Sequence, residues 1–496
     1  MTGPGTTMHR ETRAHLNTLK PLIRAYALGY LTVTAPRLFG FLRTLGRTRL
    51  HFREIFSILR KILITSTQLN RLPTAAAVIV GGATALPRLF QELLECVLSS
   101  LRRGPSVRLD RRLMACIRFL CSFCSAWLAF ALLNRDETWV RKRAISRTNP
   151  TTNTSGLNTS SLHQLPPPSY HPHYAGKTID FTAFAFCRAL DVMVISLWTR
   201  TRTRSWHAEQ RNPRLSNFIR KIADPSVFAG SAAIIMWSWF YSPERLPRSY
   251  NHWISKAADI DPRLIQALRL ARQGNFVYGE DTGQAPLLIG LCRDLNLPEE
   301  LADPSKTIPI PCELYHCGTG KSCEIHALSR FWRSWKFAMG IYLPLQLLTI
   351  LRTPRLRSLL KAFPAAARSS SFLAGFVASF YYAVCLARTR LGPKIFSRKT
   401  VTPQMWDSGL CVLAGCLACG WSVLLEKPSR RQEIAFFVAP RALATILPRV
   451  YDQRYRHREQ AIFATSVAIV LTALNSSNER NVRGVLGRIL AGILQD

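Results

Sequence analysis

Five sulfur or imidazole side chains fall within fifteen residues of this chain: Cys312, His316, Cys317, Cys323 and His326. Cys312-x3-His316 and Cys323-x2-His326 set two nitrogen/sulfur pairs on either side of a glycine turn. Zinc takes four such ligands tetrahedrally, so Cys312, His316, Cys323 and His326 make a geometrically feasible Cys2His2 site, although the pairs stand closer together than in common zinc modules. A Cys312–Cys323 disulfide is a second reading. The third, and the plain expectation, is a tight turn packed by these side chains at a membrane surface, with no cofactor. The centre of the cluster, Gly318-Thr-Gly-Lys-Ser322, also imitates a nucleotide-binding loop, in which backbone N–H groups cradle phosphate and a lysine reaches its terminal oxygens. Such a loop leaves a buried strand, but Pro309 and Pro311 stand upstream, and proline cannot donate to a sheet ladder. Tyr315 occupies the place of the first permissive glycine, so no ATP or GTP site is expected.

Two further groups of residues carry chemistry. Arg330, Arg333 and Lys336 recur at helical spacing on one face, and Trp332 and Trp335 lie on the other. Basic and aromatic faces on one helix suit a lipid-headgroup interface; a solvated basic face on a soluble core is the alternative. Arg188 and Arg441 sit in otherwise apolar segments. An arginine inside a membrane is expensive and is either paired and functional, or close enough to a helix end to reach the interface.

The elements that position these residues follow from charge and hydropathy. The chain has a net charge of +37, from 66 Lys+Arg against 29 Asp+Glu, which points to phosphate-bearing partners. Hydropathy selects lipid over nucleic acid. Windows 225–243, 369–387, 408–425 and 460–478 hold no charged side chain, and each approaches the roughly 20 residues that cross a bilayer. Shorter apolar runs at 72–87, 119–134, 178–199, 337–351 and 434–448 raise the expectation to six to nine membrane helices in an all-α polytopic protein. Anionic membrane lipids are the expected partners, and no nucleic acid is expected. Most of the thirteen cysteines lie inside apolar runs and read as small buried hydrophobes.

Composition divides the chain further. Residues 1–71 form a basic N-terminal region, and 149–177 a Ser/Thr/Pro linker containing the sequons at Asn153 and Asn158. Near-neutral 244–336 reads as extramembrane, with a soluble helix after Asp261-Pro262 that buries Leu264, Ile265, Leu268 and Ala271 and stops at Gly274. The stretches Asp180–Leu190 and Glu433–Leu443 align without gaps, matching Phe184 to Phe437 and Arg188 to Arg441. Two related membrane halves are therefore expected, one from 72–148 with 178–243 and the other at 337–496. In transport folds, sites lie at the interface of such repeats, which makes Arg188 and Arg441 candidates there. Basic segments 200–221 and 352–368 would share one side of the membrane, opposite the neutral segment.

Longer motifs add a resemblance. "IPIPCELYH…SCEIHAL", then "YLPLQLL", then "GWSVLLEKPSRRQEIAFFVAPRAL" resembles the fungal branch of the transmembrane protein 135 family. It is carried by Pro311, Cys312, Glu313, His316, Ser322, Cys323 and His326, by Tyr342 and Pro344, and by Glu426, Lys427, Arg430, Arg431, Pro440, Arg441 and Leu443. Phe276 to Gly279 and Asp281 to Leu288 extend it; Cys317 departs from it, and the first 70 residues are not covered. The resemblance implies a multi-pass peroxisomal or mitochondrial membrane protein in organelle dynamics and lipid handling, with no established reaction. A membrane transporter at the repeat interface and a membrane-embedded enzyme are the alternatives. Neither a His-Glu-x-x-His motif nor a serine nucleophile elbow is present, and a non-enzymatic role is expected.

Overall fold

The computed structural model describes residues 4–45, 51–102, 110–135, 174–204, 213–350, 356–397, 399–448, 451–475 and 482–494. The sequons and most of the expected linker lie outside them. The described chain is all-α apart from a two-residue antiparallel bridge, Tyr174–Ala175 with Tyr451–Asp452. Its longer helices are α1 (Pro4–Leu45), α2 (Phe52–Ser66), α3 (Leu72–Arg102), α4 (Arg111–Leu133), α5 (Ile179–Arg204), α6 (Pro213–Tyr241), α7 (Arg248–Ala258), α8 (Pro262–Gln273) and α9 (Ala285–Asp294). They continue with α10 (Cys323–Ile350), α11 (Leu356–Cys385), α12 (Cys411–Cys419), α13 (Pro428–Ile446), α14 (Arg456–Asn475) and α15 (Gly484–Leu494).

Five helical stretches are long and apolar enough to cross a membrane: Leu72–Val97, Arg112–Leu133, Ile179–Thr199, Leu360–Ile395 and Pro403–Leu425. Their outward faces keep large apolar side chains exposed, among them Leu93, Leu128, Val194, Phe363 and Leu417, as lipid contact requires. This is a helical membrane protein. Against the expected six to nine, five among the described residues qualify by length and apolar composition alone, and packing explains why other windows do not. Residues 225–241 and 460–475 of two of the windows lie in α6 and α14, which each pack between two other helices. Much of their surface packs on those helices, and they carry Ser, Thr, Gln, Trp and Tyr, which lower their hydropathy. Segment 337–351 is the distal part of α10, which also carries Arg330, Arg333 and Lys336, and 434–448 falls on α13 around Arg441.

The chain forms two compact units, Met1–Trp206 with Pro448–Asp496, and His207–Leu447. This grouping differs from the division into 72–243 and 337–496. In the first unit the packing order is α3–α4–α14–α5; in the second it is α11–α12–α6–α13. One helix of each set, α14 in the first and α6 in the second, therefore comes from the other side of the expected boundary. The aligned segments share one local feature: Arg188 lies over the Phe184 ring at 5.5 Å, and Arg441 over the Phe437 ring at 4.5 Å.

Small residues let the helices approach closely. In the second unit a Cβ on Gly420 would meet the Ala229 Cα at 2.4 Å; in the first, one on Gly82 would meet the Ser125 hydroxyl at 1.8 Å. The first unit also buries a polar centre. Glu459 on α14 accepts hydrogen bonds from Thr178 and Thr182 at 2.8 Å each, and from the Tyr451 hydroxyl. These contacts join α5, α14 and the bridge.

Candidate functional site

The Cys/His segment lies in the second unit. A short helical turn, Cys312–Tyr315, ends at His316, and a loop then leads to Cys323, the first residue of α10. The reversal needs left-handed backbone at Cys317, Gly318 and Gly320, with φ of 47°, 83° and 90°. At Gly320 it aims the carbonyl back at the ring of His316, whose Nδ1 donates to it at 2.7 Å. A carbonyl only accepts, so the Nδ1 carries the proton and the Nε2 presents its lone pair. Lys321, exposed and 3.8 Å from Glu313, faces no phosphate cradle, and no strand precedes the loop.

The donor atoms of Cys312, His316 and Cys323 lie within 4.8 Å of one another. His316 is fully buried and Cys323 nearly so. His326 lies outside this group of three. That ring stacks on His316 with centroids 4.5 Å apart and meets Tyr381 edge-on. Thr319 donates to the His316 carbonyl at 2.7 Å, which leaves its oxygen to accept from His326 Nδ1 at 2.6 Å. Burial first, then His316 and nearby arginines, pull His326 down to about 3, so the ring is neutral. Cys385, the last residue of α11, approaches the same ring, its Sγ 3.5 Å from His316 Nε2. The Cys323 thiol interacts with those of both Cys312 and Cys385. Cys317 lies outside the group, its Sγ 3.5 Å from the Leu314 carbonyl, and all thirteen cysteines are free thiols, so Cys312 and Cys323 are not bonded to each other.

An ion pair pins this segment in place. Arg388 and Asp407, both almost wholly buried, meet through Nε–Oδ1 at 2.5 Å and a second nitrogen to Oδ2 at 2.8 Å. Arg388 also donates to the Ile310 carbonyl and lies over the Tyr315 ring at 4.2 Å. Asp407 accepts from the hydroxyls of Tyr315, at 3.0 Å, and Tyr278. The Tyr278 oxygen in turn accepts from the Ile310 N–H at 3.0 Å. Burial, with the Asp407 carboxylate alongside, holds both phenols above their usual range and keeps them as donors. Each partner sits in a widened helical turn, Leu386–Arg390 and Trp406–Leu410. Such π-type turns place an extra residue and re-aim side chains. With every oxygen of Asp407 engaged, the pair is saturated.

Of the helix after the loop, Trp332, Arg333 and Lys336 are exposed and Trp335 is half-buried; Lys336 lies over the Trp332 ring at 5.2 Å. Arg330 departs from the interface expectation. It is 3% exposed, donates to the Asp259 carbonyl at 2.6 Å and to its carboxylate at 3.2 Å, and lies over Tyr381 at 4.6 Å. The basic stripe therefore splits, with its first member turned into the core.

Beside the cluster, α6, α7, α10, α11 and α13 line a half-open apolar cavity of about 550 Å³. Phe228, Met236, Trp253, Phe372, Phe376 and Val438 line it, with Tyr250 and Glu433 as polar groups. Arg441 stacks on two of its lining rings, Tyr250 at 5.4 Å and Phe437 at 4.5 Å. Arg188, which belongs to the other compact unit, is 8% exposed on α5.

Sequence reasoning missed Cys385, Asp407, Arg388 and the cavity. Arg388 and Asp407 stand at the edges of the two uncharged windows, a signal legible in hindsight; Cys385 lies inside one of them and looks like any small apolar residue. Searches against protein-family models, curated proteins and solved structures find no match to this chain.

Proposed function

We propose that this membrane protein handles lipid without catalysing a reaction, by holding one apolar chain in the cavity of its second unit. The cavity carries the reading. Its volume falls within the range of roughly 300–1,000 Å³ typical of ligand sites, and aromatic and aliphatic side chains dominate its walls. Arg441, which lies over the lining ring of Tyr250, suits an anionic headgroup whose tail lies among Phe228, Phe372 and Phe376. The likeness to the transmembrane protein 135 family supports an organelle role, in peroxisomes or mitochondria, in organelle dynamics and lipid handling. The saturated Arg388–Asp407 pair offers no free titratable group for a reaction and acts as a structural pin.

The test is mass spectrometry of lipid carried by the purified chain. Ala232, 4% exposed on the cavity wall, is the position to fill. Ala232→Trp is expected to reduce co-purifying lipid at least about tenfold, equivalent to about 1.4 kcal/mol of binding. Ala232→Phe should give a smaller loss, and an unshifted thermal midpoint would show that each variant is folded. Wild-type protein free of stoichiometric lipid, or a filled variant carrying as much as wild type, would sink the proposal. Localisation of tagged protein against peroxisomal and mitochondrial markers tests the organelle assignment separately.

A further inference from the structure

We infer that Cys312, His316, Cys323 and Cys385 form a mononuclear zinc site, which clips the loop between Pro311 and α10 to the end of a membrane helix. Four features converge on it. The donor set, three thiols and one imidazole, is a recurrent structural zinc set. The His316 Nε2 is aimed at the thiols because the Gly320 carbonyl holds the proton on Nδ1. Metal-bound histidines are oriented in this way by an acceptor on their other nitrogen. The 3.5 Å between Cys385 Sγ and His316 Nε2 matches the edge of about 3.6 Å that Zn–S and Zn–N bond lengths impose on a tetrahedron. Cys312, His316 and Cys323, within 4.8 Å of one another, need to draw in by about 1 Å at most to reach a sulfur–sulfur edge of about 3.8 Å.

The surroundings favour loading. Binding releases three thiol protons and leaves three thiolates with a neutral imidazole, so the loaded site carries one net negative charge. Cys323 opens α10, where the helix dipole favours a thiolate. Three donors lie within 4.8 Å of one another and the fourth, Cys385, is 3.5 Å from His316, a spacing that suits a single ion. His326 stacks against the ligand ring and takes its place outside the metal shell. The glycines that imitate a phosphate loop acquire a different purpose: they deliver the Gly320 carbonyl to His316.

The experiment uses the full chain in detergent, purified under reducing conditions and loaded with zinc or cobalt. About one equivalent of tightly held zinc per chain is expected by elemental analysis. The cobalt form should show the intense visible bands of a tetrahedral site and thiolate charge transfer from three sulfurs. Cys385→Ser should weaken zinc retention against a chelator by about tenfold or more. Cys385→His, which keeps four donors, should retain one metal with thiolate charge transfer reduced by about a third, and it guards against misreading a folding defect. Wild-type protein holding no zinc after loading overturns the inference, as does a Cys312–Cys323 disulfide or iron in its place. A Cys385→His cobalt spectrum identical to wild type would likewise remove Cys385 from the site.

Discussion

Replacing Asp407 by alanine is expected to destabilise the second unit by about 3–5 kcal/mol, the largest loss from any single side chain considered. The magnitude follows from what is left behind. Arg388 would stay buried with one carbonyl and one aromatic ring in place of its bidentate carboxylate, and the hydroxyls of Tyr278 and Tyr315 would lose their acceptor. Removing both charges at once, in Arg388→Met/Asp407→Leu, should recover much of the loss, because a buried pair is replaced more cheaply than it is broken. Thermal unfolding of the detergent-solubilised chain, followed by tryptophan fluorescence, reads both variants. A loss below about 1 kcal/mol for Asp407→Ala would put the pair in the class of solvated surface bridges and contradict its burial.

The second large effect lies in the first unit. Glu459→Leu removes the acceptor shared by Thr178, Thr182 and Tyr451 and is expected to lower stability by about 1–3 kcal/mol. The range is lower because each threonine has a second acceptor in reach: Thr182 the Thr178 carbonyl at 3.2 Å, and Thr178 the Asn134 side chain at 3.5 Å. Glu459→Gln keeps one acceptor oxygen and should lose less. Equal losses from the two substitutions would mean that the carboxylate charge, rather than its acceptor geometry, stabilises the joint.

Local signals were legible in the sequence, and contacts between distant segments were not. Asp261-Pro262 predicts the start of α8, and the structure shows why: the Asp261 carboxylate accepts from Arg263 N–H at 2.8 Å, and Gly274 ends the helix at a φ of 80°. Leu264, Leu268 and Ala271 are buried as their spacing requires, with Ile265 partly so. Apolar runs locate membrane helices only where the helix faces lipid. At the centre of each unit, α6 and α14 are covered by other helices and no longer need a uniformly apolar sequence. The candidate site shows the same limit. Cys312, His316 and Cys323 are close in sequence and visible as a motif, whereas Cys385 reaches them only after α10 and α11 have packed together. Spacing gave His326 equal standing with His316. The loop geometry separates them, because Gly320 takes the Nδ1 of one ring and Thr319 that of the other.

The central claim, that the second unit holds a lipid chain inside its helices, is tested most directly by cross-linking in place. A lipid bearing a photoreactive diazirine at mid-chain would be exchanged into the purified protein, activated, and its attachment sites mapped by peptide mass spectrometry. Adducts are predicted on the cavity wall, at Trp253, Phe372 and Phe376, and should fall sharply in Ala232→Trp. Adducts confined to the outward faces of the membrane helices, at exposed residues such as Phe363, Leu413 and Leu417, would show lipid acting only as solvent and contradict the proposed function.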